Sequence, residues 1–191
     1  NKIYDEMIDF AKYAFNKSHA AAYAVVSYQT AWLKYYYPVE FMAALMTSVI
    51  DNPGKVSEYI YSCRQMGIKI LPPDINKGEG SFSVDSGNIR YGLAAIKSIG
   101  KPVIESIIKE RENGGPFSNL KDFIERLSGK EVNKRTIESF IKSGAFDSLG
   151  GTRKQFMVVY VQILDQVNRE RKYSMTGPVS YTHLTLPTIC S

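Results

Sequence analysis

The chain has 191 residues, 44% hydrophobic and 23% charged, a balance that excludes a disordered, fibrous or membrane-spanning protein and leaves enough apolar mass for a packed core. A net charge of +5 favours a polyanionic partner, and the two cysteines, Cys63 and Cys190, sit in no Cys-x-x-Cys or Cys/His spacing, so neither a disulfide framework nor a zinc site is expected. The longest apolar runs, such as residues 41–45, are far too short to cross a bilayer, which makes a cytoplasmic location the default.

Asn1 opens directly among helically spaced apolar residues (Ile3, Met7, Ile8, Ala11), so the start reads as a cut within a longer chain. Ser18 is expected to cap a helix through Tyr35 that is alanine-rich, apolar almost all round and therefore largely buried. Pro38 predicts the first turn of another helix reaching Val49, packed on the previous one as a hairpin. A turn at 51–54 leads to an amphipathic helix on Val56, Tyr59, Ile60, Cys63 and Met66, stopped by Gly67. Residues 68–76 read as a short extended piece stiffened by Pro72 and Pro73, and 82–91 as a β-hairpin turning at 85–88.

Beyond Gly92, helices are predicted over 93–96, 102–111, 119–127, 133–142 and 152–171, with short glycine-bearing links. The fold class is thus mainly α, with one small β-hairpin. Residues 1–78 form a first helical region, 79–172 the hairpin with a tandem helix-hairpin-helix element and a following helix, and 173–191 a linker and tail. No Lys, Arg, Asp or Glu occurs from Tyr173 onward, and 179–188 looks like a translated sequencing-library adapter, so the chain from Pro178 is expected to be non-native.

Two clusters could carry chemistry. Residues 92–103 resemble a short helix, an apolar-glycine turn and a second helix. There a glycine lets the turn approach a phosphate, and free amides at the start of the second helix offer it donors and a positive dipole end. Lys97, Ser98, Ile99, Gly100 and Lys101 are the candidate DNA-backbone set, with contacts that should be sequence-independent and salt-sensitive. The same spacing also serves an ordinary helix hairpin, and Pro102 removes one donor. A second pair around Gly144 lacks the tight turn and is expected to pack rather than clamp, although Lys130, Lys134 and Arg135 could touch a backbone.

The second cluster is Asn16, Lys17, Ser18 and His19, an anion site in principle at a helix start, although spacing alone favours a plain cap with a packed imidazole. Tyr23, Tyr28 and Trp32 suit either a core or base stacking. No catalytic residue and no metal site is expected: the acidic residues are scattered without an Asp-x-Asp strand, and there is no phosphate loop or Ser/His/Asp set.

Taken in order, Phe15-Asn16-Lys17-Ser18-His19-Ala20-Ala21-Ala22-Tyr23, Ser27-Tyr28-Gln29-Thr30, Tyr37-Pro38-Val39-Glu40-Phe41-Met42, the stretch 66–76 ending Leu71-Pro72-Pro73-Asp74-Ile75-Asn76, Tyr91-Gly92-Leu93-Ala94-Ala95-Ile96-Lys97 and Ser143-Gly144-Ala145-Phe146-Asp147 resemble successive blocks of the bacterial DNA polymerase III alpha subunit, a C-family replicative polymerase. The resemblance implies a piece of a DNA-directed DNA polymerase of chromosomal replication, holding the later fingers (1–78) and the helix-hairpin-helix region, and inactive alone. The palm with its metal-binding aspartates would lie upstream, so Mg2+ belongs to the whole enzyme and no cofactor to this piece. By the same resemblance Asn16, Lys17, Ser18 and His19 face the incoming nucleotide or template, and the Ile99-Gly100 turn holds the duplex. Implied partners are primer-template DNA, dNTP, the rest of the polymerase chain, the sliding clamp and other replisome subunits, with no membrane. The family's clamp motif commonly follows a stretch like 174–177, where this chain carries the tail. The alternatives are a free-standing helix-hairpin-helix DNA-binding protein and a purely structural helical domain.

Overall fold

The computed structural model describes residues 2–14, 17–127, 129 and 132–176; Asn16, Lys130 and the tail from residue 178 lie outside them. Among the described residues are eight α-helices: α1 (Lys2–Ala14), α2 (Lys17–Tyr36), α3 (Pro38–Ser48), α4 (Pro53–Gln65), α5 (Lys101–Gly114), α6 (Leu120–Leu127), α7 (Lys134–Ser143) and α8 (Arg153–Thr176). Three short strands, β1 (Ile70–Leu71), β2 (Ser83–Asp85) and β3 (Asn88–Arg90), form one sheet in the order β1-β3-β2. The mainly α class with a small β element is as the sequence implies. The chain divides into two compact units, Asn1–Ile70 with Ser83–Ile89, and Leu71–Phe82 with Arg90–Ser191.

In the first unit, α3 starts where Pro38 supplies a preset φ and no amide, so Phe41 N bonds back to Tyr37 O at 2.9 Å. Helix α4 starts where the Asn52 side chain accepts from Lys55 N at 3.1 Å. It ends with Ile68 N returning to Cys63 O at 2.9 Å. Met42, Ala43, Met46, Val56, Cys63, Ile68 and Ile89 are buried, and burial pushes the Cys63 thiol up, away from reactivity.

Two expectations fail in this unit. Helix α2 has no buried residue: Val25, Val26, Tyr28, Trp32 and Leu33 all stand exposed. Its apolar residues run all round, and a helix of that kind needs cover on every side, whereas α3 packs against one. Ser18, expected as a cap, lies inside the first turn because α2 already starts at Lys17.

The hairpin turns on Ser86 (φ +52°) and Gly87 (φ +75°), the two left-handed residues that a two-residue loop of this hand requires. The extended piece after Gly67 acquires a partner that its sequence does not name. Ile89 N donates to Lys69 O and Tyr91 N to Leu71 O, each at 3.0 Å, which makes β1 a third strand.

The second unit is built on five phenylalanines. Phe123 meets Phe117 at 5.1 Å, Phe146 at 4.9 Å and Phe140 at 6.1 Å, each edge to face, and Phe146 reaches Phe156 at 6.2 Å. Around them α5 buries Val103, Ile104 and Ile107, and α6 buries Leu120, Ile124 and Leu127. Helix α8 lays Phe156, Tyr160, Leu164 and Val167 along one stripe and continues to Thr176. The segment before the hairpin is tied to this core by side chains. Asn76 Nδ2 donates to Phe117 O at 2.9 Å, Phe117 N donates to Asn76 Oδ1 at 2.7 Å, and Arg111 Nη1 donates to Gly78 O at 2.8 Å.

Past α7 the chain reverses at Gly144 (φ +85°), whose left-handed conformation lets Gly144 N and Ala145 N return to Ile141 O and Phe140 O. Asp147 then takes two bonds from Arg153, at 2.9 and 2.5 Å, and these hold its carboxyl below the usual carboxylate range. A depressed folded value stabilises the protein above the unfolded carboxylate pKa, and that contribution is lost as pH falls through the folded one. Asp147→Asn is therefore expected to cost under about 1 kcal/mol at neutral pH, because both partners are half exposed and screened. The difference between the two proteins should shrink in urea titrations as pH drops below about 4.

Candidate nucleic-acid interface

The second unit carries an open cleft of about 610 Å³. Its floor is apolar: Pro73 from the extended segment, Tyr91 after β3, and Ala95 and Ile96 from a single 3-10 turn at Leu93–Ala95. The Tyr91 ring is set by an edge contact with Phe82 at 5.0 Å. The rest of the lining is polar: Lys97 and Ser98 from the turn before α5, and Arg135, Ser139, Lys142 and Ser143 from α7.

Helical spacing explains the α7 wall. Positions 135, 139 and 142 fall on one face, while Ile137, Phe140 and Ile141 on the opposite face are buried. The Asn133 side chain accepts from Thr136 N at 3.0 Å and fixes the helix start. No carboxylate lines the cleft. Lys97 and Arg135 make no ion pair among the described residues, whereas Lys142 is paired with Glu138 at 2.5 Å. Three cations and the Ser98 and Ser139 hydroxyls can hold an anion by charge and hydrogen bonds while an attached apolar face packs on the apolar lining, the Ser143 hydroxyl being committed to Phe140 O at 3.0 Å.

The candidate backbone residues divide across this geometry. Lys97 and Ser98 line the cleft; Ile99 packs against the core; Gly100 and Lys101 are exposed at the start of α5. The backbone at Gly100 does not itself require glycine. Its φ of −86° suits any residue, and an added methyl would meet only Pro102 Cδ at 3.6 Å. The left-handed corner of the turn is Ser98, at φ +71°. The helix before the turn is also shorter than its spacing suggests, a single 3-10 turn. What remains of the expected device is the start of α5, where Gly100 and Lys101 amides have no acceptor within the helix and Pro102 has no amide.

Helix α7, expected chiefly to pack with Lys134 and Arg135 free to touch a backbone, both packs and supplies lining residues of the cleft, Arg135 among them. Lys134 points elsewhere, to Asp165 at 3.4 Å. At the other cluster, Lys17, Ser18 and His19 are exposed in the first turn of α2, and the His19 ring lies 4.4 Å from that of Tyr23. A helix-hairpin-helix motif family matches residues 67–156, the stretch that contains the whole cleft.

The chain is 54% identical over 177 residues to the DNA polymerase III subunit alpha of Escherichia coli (strain K12), covering 92% of this chain and 15% of that protein. It is 54% identical over 153 residues to the subunit of Pasteurella multocida (80% and 13%) and 49% over 150 residues to that of Thermus aquaticus (78% and 12%). The chain belongs to the DNA polymerase III alpha-subunit family. It spans 12% to 15% of the length of these three members.

Membership of this family is legible in the ordered sequence blocks. The lining residues Tyr91, Ser139, Lys142 and Ser143 do not stand out as a site in the sequence, although the polar spacing of 135, 139 and 142 opposite a buried stripe is a signal that could have found three of the wall's residues. No described helix is long and apolar enough to cross a membrane.

Proposed function

We propose that this chain grips DNA by its sugar-phosphate backbone, independently of sequence, on behalf of a polymerase active site located elsewhere in a longer polypeptide. The observation that carries the reading is the convergence of Lys97, Arg135 and Lys142, one from the first turn and two from α7, on an acid-free cleft within the helix-hairpin-helix stretch. The names of the relatives, subunits of DNA polymerase III, supply the larger activity. The exposed cluster of Lys17, Ser18 and His19, with Asn16, is assigned to the incoming nucleotide or template. The same proposal includes dNTP, the sliding clamp, the replisome subunits and a cytoplasmic setting. Among the described residues no group of three or more His, Cys, Asp and Glu comes together. Mg2+ enters the proposal only as a group held by the longer polypeptide.

Neutral replacement of Lys97 and Lys101 together tests the grip. Duplex affinity should fall about equally for unrelated sequences, and the dependence of log K on log salt should flatten by about one unit per lost phosphate contact. Fluorescence anisotropy across a salt series reads both quantities. An unchanged slope would return the turn to a packing role.

A further inference from the structure

Backbone contact with a duplex uses cations and amides at a surface; it has no use for an apolar floor, because the bases of a duplex face one another. The cleft of the second unit has such a floor, and its ring is rigid: Tyr91 is anchored by its backbone bond to Leu71 O at 3.0 Å and by the edge of Phe82. A volume of about 610 Å³ is larger than a single phosphate requires and lies within the range of small-ligand sites, roughly 300–1,000 Å³. We infer that this cleft receives one unpaired nucleotide of a DNA single strand, its base against Tyr91 and Ala95 and its phosphate against Arg135, Ser139 and Lys97.

Charge is arranged for that pose. Arg135 and Lys97 both line the cleft and make no ion pair among the described residues, so a phosphate there meets two uncommitted cations. The Ser139 hydroxyl, one turn along α7 from Arg135, adds a donor on the same wall. Beyond Arg135, Ser139 and Lys97 the one charged side chain lining the cleft is Lys142, already paired with Glu138, and no amide side chain lines it, so recognition is by stacking and charge and tolerates any base. The inference rests on the reading of DNA as the ligand but assigns a different strand state from the duplex grip.

The test uses the 191-residue chain with three labelled probes: a 12-nucleotide oligo-dT, an abasic oligonucleotide of the same length and charge, and a blunt duplex. Oligo-dT is expected to bind about tenfold more tightly than the abasic strand, the size of one stacking contact. Ala95→Phe, which fills the floor and keeps every cation, should erase that preference, and Ser139→Phe should do so from α7 if the first variant misfolds by circular dichroism. Arg135→Gln should weaken both single strands. Equal binding of oligo-dT and the abasic strand, or a preference that survives both filling variants, overturns the inference while leaving duplex binding intact. Failure of the unaltered chain to bind the blunt duplex sinks the proposed grip instead, whatever the single strands do.

Discussion

Phe123→Ala is expected to destabilise the second unit by about 3–5 kcal/mol, a large share of the stability of any domain this small. The ring is fully buried and touches Phe117, Phe140 and Phe146 edge to face, so its removal loses transfer energy, three aromatic contacts and the fit around a cavity that rigid neighbours cannot refill. Urea denaturation followed by ellipticity measures the loss. Hydrogen exchange should place it in α6 and α7, since Phe140 and Phe146 flank the cavity. A cost below about 1.5 kcal/mol would mean that α6 moves in to fill the space, and the cluster would then be softer than its geometry implies.

Asn76→Ala should cost about 2–4 kcal/mol, more than its half-buried position suggests. One amide side chain satisfies both the N–H and the C=O of Phe117, at 2.7 and 2.9 Å, across 41 positions of sequence. Alanine leaves both groups without a partner at the edge of the core, and each such loss costs about 1–3 kcal/mol. Exchange of the Phe117 amide should accelerate by the same free energy as the urea midpoint records. A loss below about 0.5 kcal/mol would show that water replaces both bonds and that the clamp is decorative.

Why some of this is legible in the sequence and some is not follows from the range of the interactions. The helices α3, α4, α7 and α8 announce themselves through local signals: a proline at the first turn of α3, glycine-bearing links, and apolar residues at three and four. The hairpin is local too, with Ser86 and Gly87 at its corner. Strand β1 reads only as extended chain because its pairing bonds, Ile89 N to Lys69 O and Tyr91 N to Leu71 O, each span 20 positions, and nothing in Ile70 or Leu71 specifies them. The cleft is half visible for the same reason: Lys97 and Ser98 lie in a recognisable turn, but the rest of its polar lining comes from α7, about 40 residues later. The exposure of α2 is invisible to composition, which states what a helix needs and not whether this stretch of chain supplies it.

Glu138 gives helix α7 a brake. Its carboxylate already occupies Lys142, so a phosphate arriving at that side must compete with a partner built one turn away on the same rod. The wall thus presents less attraction than its number of cations suggests, and a strand resting there can be displaced by its neighbour without a large barrier. If the cleft holds DNA as proposed, a moderate hold of this kind lets the strand slide on, where a tight one would arrest it.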